Sequence, residues 1–208
     1  VVLVTPGNFK IGGGFQENKC KFYAGEFPPE YILKPYSYIV TMTDLSKNID
    51  TLGYSAIVPD TQRIYLHNQR IGLIEFISEV CDRKYIYYLL QSYPYQRTIA
   101  NTSTGATVHH TSPSKICDYK FFAPDFNIQK KIADILSAYD DLIENNQQQI
   151  KLLEEAAQRL YKEWFVDLRF PCCEHTKIVD GVPEGWEKKP LSNIADVIMG
   201  QSPKSEFY

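Results

Sequence analysis

Between Pro124 and Pro171 the chain reads as one unbroken helical pattern, from about Asn127 to Arg169. Ile128, Ile132, Ile135, Tyr139 and Leu142 recur in alternating steps of four and three, and Ile150, Leu153, Ala157, Leu160 and Trp164 resume the stripe. Such a seam fits a heptad that packs on another helix. If straight, the segment would reach ~65 Å at about 1.5 Å per residue, longer than a small domain is wide. It is therefore read as a spacer that holds other parts at a set distance. Asn145, Asn146 and the run Gln147–Gln149 interrupt the seam. Polar groups at such positions cost stability while fixing register or orientation. The competing reading, a lone solvated rod, would leave two or three large apolar side chains wet per pair of turns. Ile132, Ile135, Tyr139, Leu142, Ile150, Leu153, Leu160 and Trp164 are accordingly expected to form a helix-pairing interface.

Upstream, residues 1–123 alternate short runs rich in Val, Ile, Tyr and Phe with turn signals at GGG, FPPE, KPYSY and NTSTGAT. YIVTMTD (38–44), SAIVP (55–59), RIYL (63–66) and IGLIEFI (71–77) have strand composition, while Ile86, Leu89 and Leu90 lie at helical spacing. The expected fold class is α+β: a mixed domain over 1–123, a coiled-coil-forming spacer helix over 124–170, a loop over 171–185, and a further domain opening over 186–208.

Charge and cysteine usage narrow the function. The net charge of -3 hides a layout in which residues 1–123 carry 12 Lys and Arg against 10 Asp and Glu. That is too mild a balance for a polycationic coat, so any nucleic-acid contact must come from a locally shaped surface. The five cysteines include an adjacent pair, Cys172 and Cys173, and show no CxxC spacing. They read as reduced thiols in cytoplasm. No apolar run approaches a membrane span, and the start lacks the pattern of a signal peptide.

Several polar clusters could touch nucleic acid, each against a plainer alternative. Asn68, Gln69 and Arg70 lie between two apolar strands, where amides and a guanidinium can bond base edges in two places. An ordinary polar turn is the rival. Lys10, Gln16, Asn18 and Lys19, with Lys21, surround the IGGGF turn and combine charge with amides; the rival is a surface loop. The segment holding Asn101 and Thr104 offers small donors for phosphates or is a solvated loop. Thr43 and Lys47 complete a fourth candidate loop, at 41–48. GGG is not a dinucleotide fingerprint. The histidines lack zinc spacing, so no metal is expected. Asp60 and Asp82 loosely fit a nuclease carboxylate pair, but acid-x-Lys triplets recur elsewhere in the chain. No catalytic constellation emerges, and a non-enzyme is expected.

FFAPDFNIQKKIADILSAYDDLIENNQQQIKLLEEAAQRLYKEWFVDLRF resembles the spacer of specificity subunits of type I restriction-modification enzymes, with an IxxQxxIAxIL opening, a DDxIE middle and a WFVDF-like close. GVPEGWEKKPLSNIADVIMGQSP is similar to the PEGW start of that family's target-recognition domains. YILKPYSYIVTMTDL and YLHNQRIG resemble its L..GDIL.S and LNQR elements, with Tyr36 and Ser37 replacing the common Gly-Asp.

The resemblance implies a non-catalytic subunit that binds double-stranded DNA and reads half of a bipartite target. Its methyltransferase partners would use S-adenosylmethionine and its restriction partner ATP and Mg²⁺, with no cofactor held by this chain. Two copies could also pair antiparallel, so that residues 186–208 of one lie beside residues 1–123 of the other. The alternative from another class is a coiled-coil adaptor of methyltransferase subunits that does not read DNA.

Overall fold

A computed structural model describes residues 1–46 and 48–201. The chain divides into two compact units, Val1–Ile143 and Glu144–Tyr208. The α+β expectation holds: a sheet-containing domain is followed by a long helix.

In the first unit, β1 (Val2–Leu3), β2 (Lys21–Phe22), β3 (Ile32–Leu33) and β7 (Tyr65–Leu66) form a sheet in the order β2-β1-β7-β3. β4 (Tyr38–Thr41), β6 (Ser55–Ile57) and β8 (Ile71–Leu73) form a second sheet, with β4 antiparallel to both neighbours. β5 (Thr43–Asp44) pairs with β9 (His109–His110). The main core gathers Val2, Val4, Phe9, Ile39, Tyr65 and Ile71 from both larger sheets. Ile39, Val40 and Thr41 are all buried in succession, so β4 is covered on both faces and lacks the alternation of a half-wet strand.

The helical spacing around Ile86 belongs to α1 (Arg83–Leu89), and a second helix, α2 (Tyr93–Thr102), follows it. Pro94 stands in the first turn of α2, where its missing N–H costs nothing, but it cannot continue α1. Asp82 caps α1 by accepting from the Tyr85 amide at 2.8 Å. A second cluster of Leu52, Leu90, Tyr95 and Ile99 packs under α2. Gly53 holds φ +78, and a Cβ there would lie 2.9 Å from the Ile99 Cγ2, so only glycine lets this loop approach α2. α3 (Pro113–Cys117) completes the unit before α4 begins.

α4 runs over Phe126–Tyr161, 36 residues, and a π-helical turn at Lys162–Val166 closes it. The expected end at Arg169 is too late by a few residues, because Leu168 turns to φ +55. The region read as a loop, 171–185, holds a hairpin. β10 (Ile178–Val179) pairs antiparallel with β11 (Val182–Pro183) across Asp180 and Gly181, which have φ +52 and +79. Positive φ at both central positions is the reason Asp-Gly favours this turn, a signal present in the sequence and missed. Trp186 stacks on Phe170 with ring centroids 5.7 Å apart. All five cysteines are free. Among the described residues no helix is long and apolar enough to cross a membrane.

Candidate nucleic-acid interface

The turn from His67 to Arg70 joins strands of the two larger sheets, β7 and β8, and is rigidly built. The Asn68 Oδ1 accepts from the Arg70 amide at 2.9 Å, and the Asn68 carbonyl accepts from the Ile71 amide at the same distance. This side-chain-closed turn is what an asparagine at its first position supplies. The His67 amide donates to the Tyr31 carbonyl, its Nε2 donates to the Ile71 carbonyl at 2.7 Å, and the Arg70 carbonyl accepts from the Met42 amide. With the backbone so fixed, the Gln69 and Arg70 side chains stand exposed and make no hydrogen bond or ion pair among the described residues.

Asn68, Gln69 and Arg70 open onto a cleft of about 1540 Å³ that Lys21 and Tyr23 also line. Its inner walls are mainly apolar, with Phe76 and Ile116 among them. Two other nearby cations are already neutralised: Arg63 pairs with Glu17 at 3.2 Å and Arg83 with Glu79 at 2.8 Å. Lys10, Lys19, Lys21 and Arg70 carry no such pair among the described residues. Lys21 and Arg70, which line one cleft with the Asn68 and Gln69 amides, can bond phosphate oxygens and base edges.

The other sequence candidates divide. Lys10 is exposed beside the three consecutive glycines Gly12, Gly13 and Gly14, all at positive φ, in a loop closed by the Phe9 and Phe15 bridge. Asn18 and Lys19 are exposed. Gln16 is not available as a reader: its amide donates to the Gly7 and Phe9 carbonyls, both at 3.0 Å, and braces this loop from inside. Thr43 is also withdrawn. It is buried in β5, with its hydroxyl 3.1 Å from the His110 Nδ1. Its neighbours Thr41 and Asp44 are buried too, so the first half of the expected 41–48 loop is interior, while Leu45 and Asn48 are exposed. Lys47 lies outside the described residues. Asn101 is exposed on the last turn of α2 rather than in a loop, and Thr104 is exposed beside the bridge to His110.

Burial pushes the Asp44 carboxyl up, but the amides and hydroxyls of Ser46 and Thr51 outweigh it and hold the group below the usual carboxylate range. The nuclease pair is divided between local tasks: Asp82 caps α1, while the Asp60 Oδ2 accepts from the Tyr36 hydroxyl at 3.0 Å. Tyr36 itself holds φ +63. The backbone thus keeps the left-handed turn that a glycine would take without strain. Along α4, Ile132, Ile135, Tyr139, Leu142, Ile150, Leu153 and Leu160 are exposed, and Trp164 is half-buried. Gln129 and Ala133, the Q and the A of the IxxQxxIAxIL opening, received no role in the sequence reading and are the two buried residues of α4.

The molecule is thus a small α+β domain that presents a polar turn beside a cleft and continues into a long amphipathic helix. A family model described as the type I restriction modification DNA specificity domain matches residues 11–155. The chain belongs to that family. It is 34% identical over 130 residues to the type I restriction enzyme MjaIX specificity subunit of Methanocaldococcus jannaschii, covering 60% of this chain and 30% of that protein. It is 30% identical over 162 residues to the putative MjaX specificity subunit of the same organism, covering 76% and 38%. With the HindI specificity subunit of Haemophilus influenzae it shares 26% over 211 residues, 69% of this chain and 45% of that one. The chain spans less than half the length of these curated relatives. The solved HsdS subunit of Thermoanaerobacter tengcongensis is 16% identical, with a TM-score of 0.48 over 98% of this chain and 50% of that one.

Proposed function

We propose that this chain reads one half of a bipartite double-stranded DNA target as the specificity component of a type I restriction-modification complex. The observation that carries the reading is the braced His67–Arg70 turn, with Gln69 and Arg70 exposed on the cleft that Lys21 also lines. A rigid turn holds its guanidinium and amide in fixed positions, which two-point contact with a base edge requires. The unpaired lysines would hold phosphates and set register without choosing bases.

In this reading the chain performs no chemistry. It binds methyltransferase subunits that use S-adenosylmethionine and helps recruit a restriction subunit that uses ATP and Mg²⁺, all in the cytoplasm. The exposed apolar stripe of α4 pairs with a second helix, either from the same longer polypeptide or from a second copy in an antiparallel homodimer. A homodimer would present two identical readers and favour an interrupted palindrome. Opposed to this stands the adaptor that binds methyltransferase subunits without reading DNA.

The test is binding of the assembled complex to a pool of random duplexes across a salt series. Enrichment of a sequence, with affinity falling as salt rises, is expected. Binding that depends on salt but enriches nothing would leave only the adaptor.

A further inference from the structure

α4 is tied to the N-terminal domain by hydrogen bonds at two places. The Gln129 side chain, 2% exposed, accepts from the Asp82 amide at 3.0 Å and donates to the Pro124 carbonyl at 2.7 Å. Further along, the Asp140 Oδ2 accepts from the Tyr88 hydroxyl at 2.8 Å. Asp82 caps the start of α1 and Tyr88 lies in its last turn, so the two ties grip one short helix at both ends. Ala133, 1% exposed, sits between them.

At about 100° per residue, positions 129, 133 and 140 share one narrow face of α4, within roughly 40° of each other. The stripe through Ile132, Ile135 and Tyr139 is centred roughly 100° further round by the same count. The ties therefore leave the pairing stripe free. They are also about 16 Å apart along the axis, and two separated anchors fix a direction where one would permit a pivot.

The chemistry of the first tie favours orientation over adhesion. Burying an amide is costly unless its bonds are met, and an apolar side chain there would cover as much surface with more freedom to slide. A buried polar side chain whose partners are fixed backbone groups accepts one placement.

We propose that Gln129, assisted by the Tyr88 and Asp140 pair, is the positioning residue that sets the exit direction of α4 and thereby the number of base pairs between the two half-sites. This rests on the DNA-reading function above. From Gln129 to Tyr161 the helix runs about 48 Å, so a tilt on the order of 10° would move its far end by roughly 8 Å. That exceeds two base-pair steps of about 3.4 Å.

The test has two readouts on the full chain assembled with its methyltransferase subunits. One is the distance distribution between spin labels at exposed Thr61 and Gln147, introduced as unnatural amino acids because the five cysteines are free. The other is selection from duplexes carrying two randomised half-sites at gaps that differ by single base pairs.

Gln129→Leu is expected to broaden the distance distribution and to reduce discrimination against neighbouring gaps by roughly tenfold, the scale of losing a buried hydrogen-bonded tether. The bases preferred inside each half-site should stay the same. Tyr88→Phe, which removes only the outer tie, should do the same more weakly, and it keeps the test alive if Gln129→Leu fails to fold. Folded variants with a parental distance distribution, or with parental gap preference, would overturn the inference alone. A parent complex with no base preference would instead remove the DNA-reading proposal and this inference with it.

Discussion

The residues before Glu144 and those after it solve the burial of apolar side chains in opposite ways. Val1–Ile143 builds a core in which Val4, Ile39, Ala56, Val58, Tyr95 and Ile99 are inaccessible, although its own part of α4 leaves Ile132, Ile135, Tyr139 and Leu142 exposed. Beyond that point α4 leaves Ile150, Leu152, Leu153 and Leu160 open to solvent, and among the described residues only Pro183 is buried. Helices gain most of their stability from packing an amphipathic face rather than from propensity. The first region contains a finished core, whereas the second has the composition of an interface that begins on the α4 stripe of the first. A domain that must present one braced turn needs its own rigidity. A segment that sets a distance needs only length and a surface to share.

The sharpest way to break this contrast is to charge the open stripe. Replacing both Ile150 and Leu153 with Asp should weaken helix pairing at least about a hundredfold, since each buried aliphatic side chain contributes roughly 1.5–3 kcal/mol. Sedimentation of the complex measures this, and unchanged sedimentation would mean that the stripe is no interface. Base preference should survive the same change, because the proposed reading turn, His67–Arg70, lies in the other region.

Arg70→Ala touches that surface alone. It should relax selection at one base pair by about 1–3 kcal/mol, read by sequencing of selected duplexes, with assembly intact. Selection that stays parental would remove the turn from the interface.

Asp44→Asn probes the closed core. Three hydrogen bonds from Ser46 and Thr51 reach this buried carboxylate, and their weakening should cost about 1–3 kcal/mol in urea unfolding. The sign of the pH dependence follows from its lowered folded value. The stabilisation is present above the unfolded aspartate value of about 3.9 and disappears as pH falls through the folded one, a slope that the Asn variant should lack.

The smallest effect is expected at Tyr36. Tyr36→Gly relieves a left-handed backbone but loosens the unfolded chain and loses the bond to Asp60, so stability should shift by less than about 1 kcal/mol. A larger loss would show that the Tyr36 side chain, rather than its backbone turn, holds this corner.

Much of this was legible in the residues. The steps of four and three from Ile128 to Leu142 gave the long helix and its apolar stripe, and the apolar runs located β4 to β8 but not the shorter strands before and after them. The Asn68–Arg70 turn was identifiable because turn residues stood between two apolar runs. Gln16 and Thr43 were misread because their polarity resembles that of a reader, whereas the folded chain uses Gln16 to brace a glycine loop and covers Thr43 with β9. Gln129 entered the reading only as the Q of the IxxQxxIAxIL opening, with no role, for the opposite reason: an amide on a helix is ordinarily solvated, and only a neighbour distant in sequence can bury it.

Periodicity and turn chemistry are local, so the sequence by itself determined that a mixed domain precedes a long amphipathic helix and where its polar turns fall. Which polar side chains stay free to meet a ligand, and which are consumed holding the chain together, depends on partners far along the chain. Asp82 lies 47 residues from Gln129 and Tyr88 lies 52 from Asp140. Only the tertiary structure brings those pairs together, because a hydrogen bond depends on distance in space and is blind to separation in sequence.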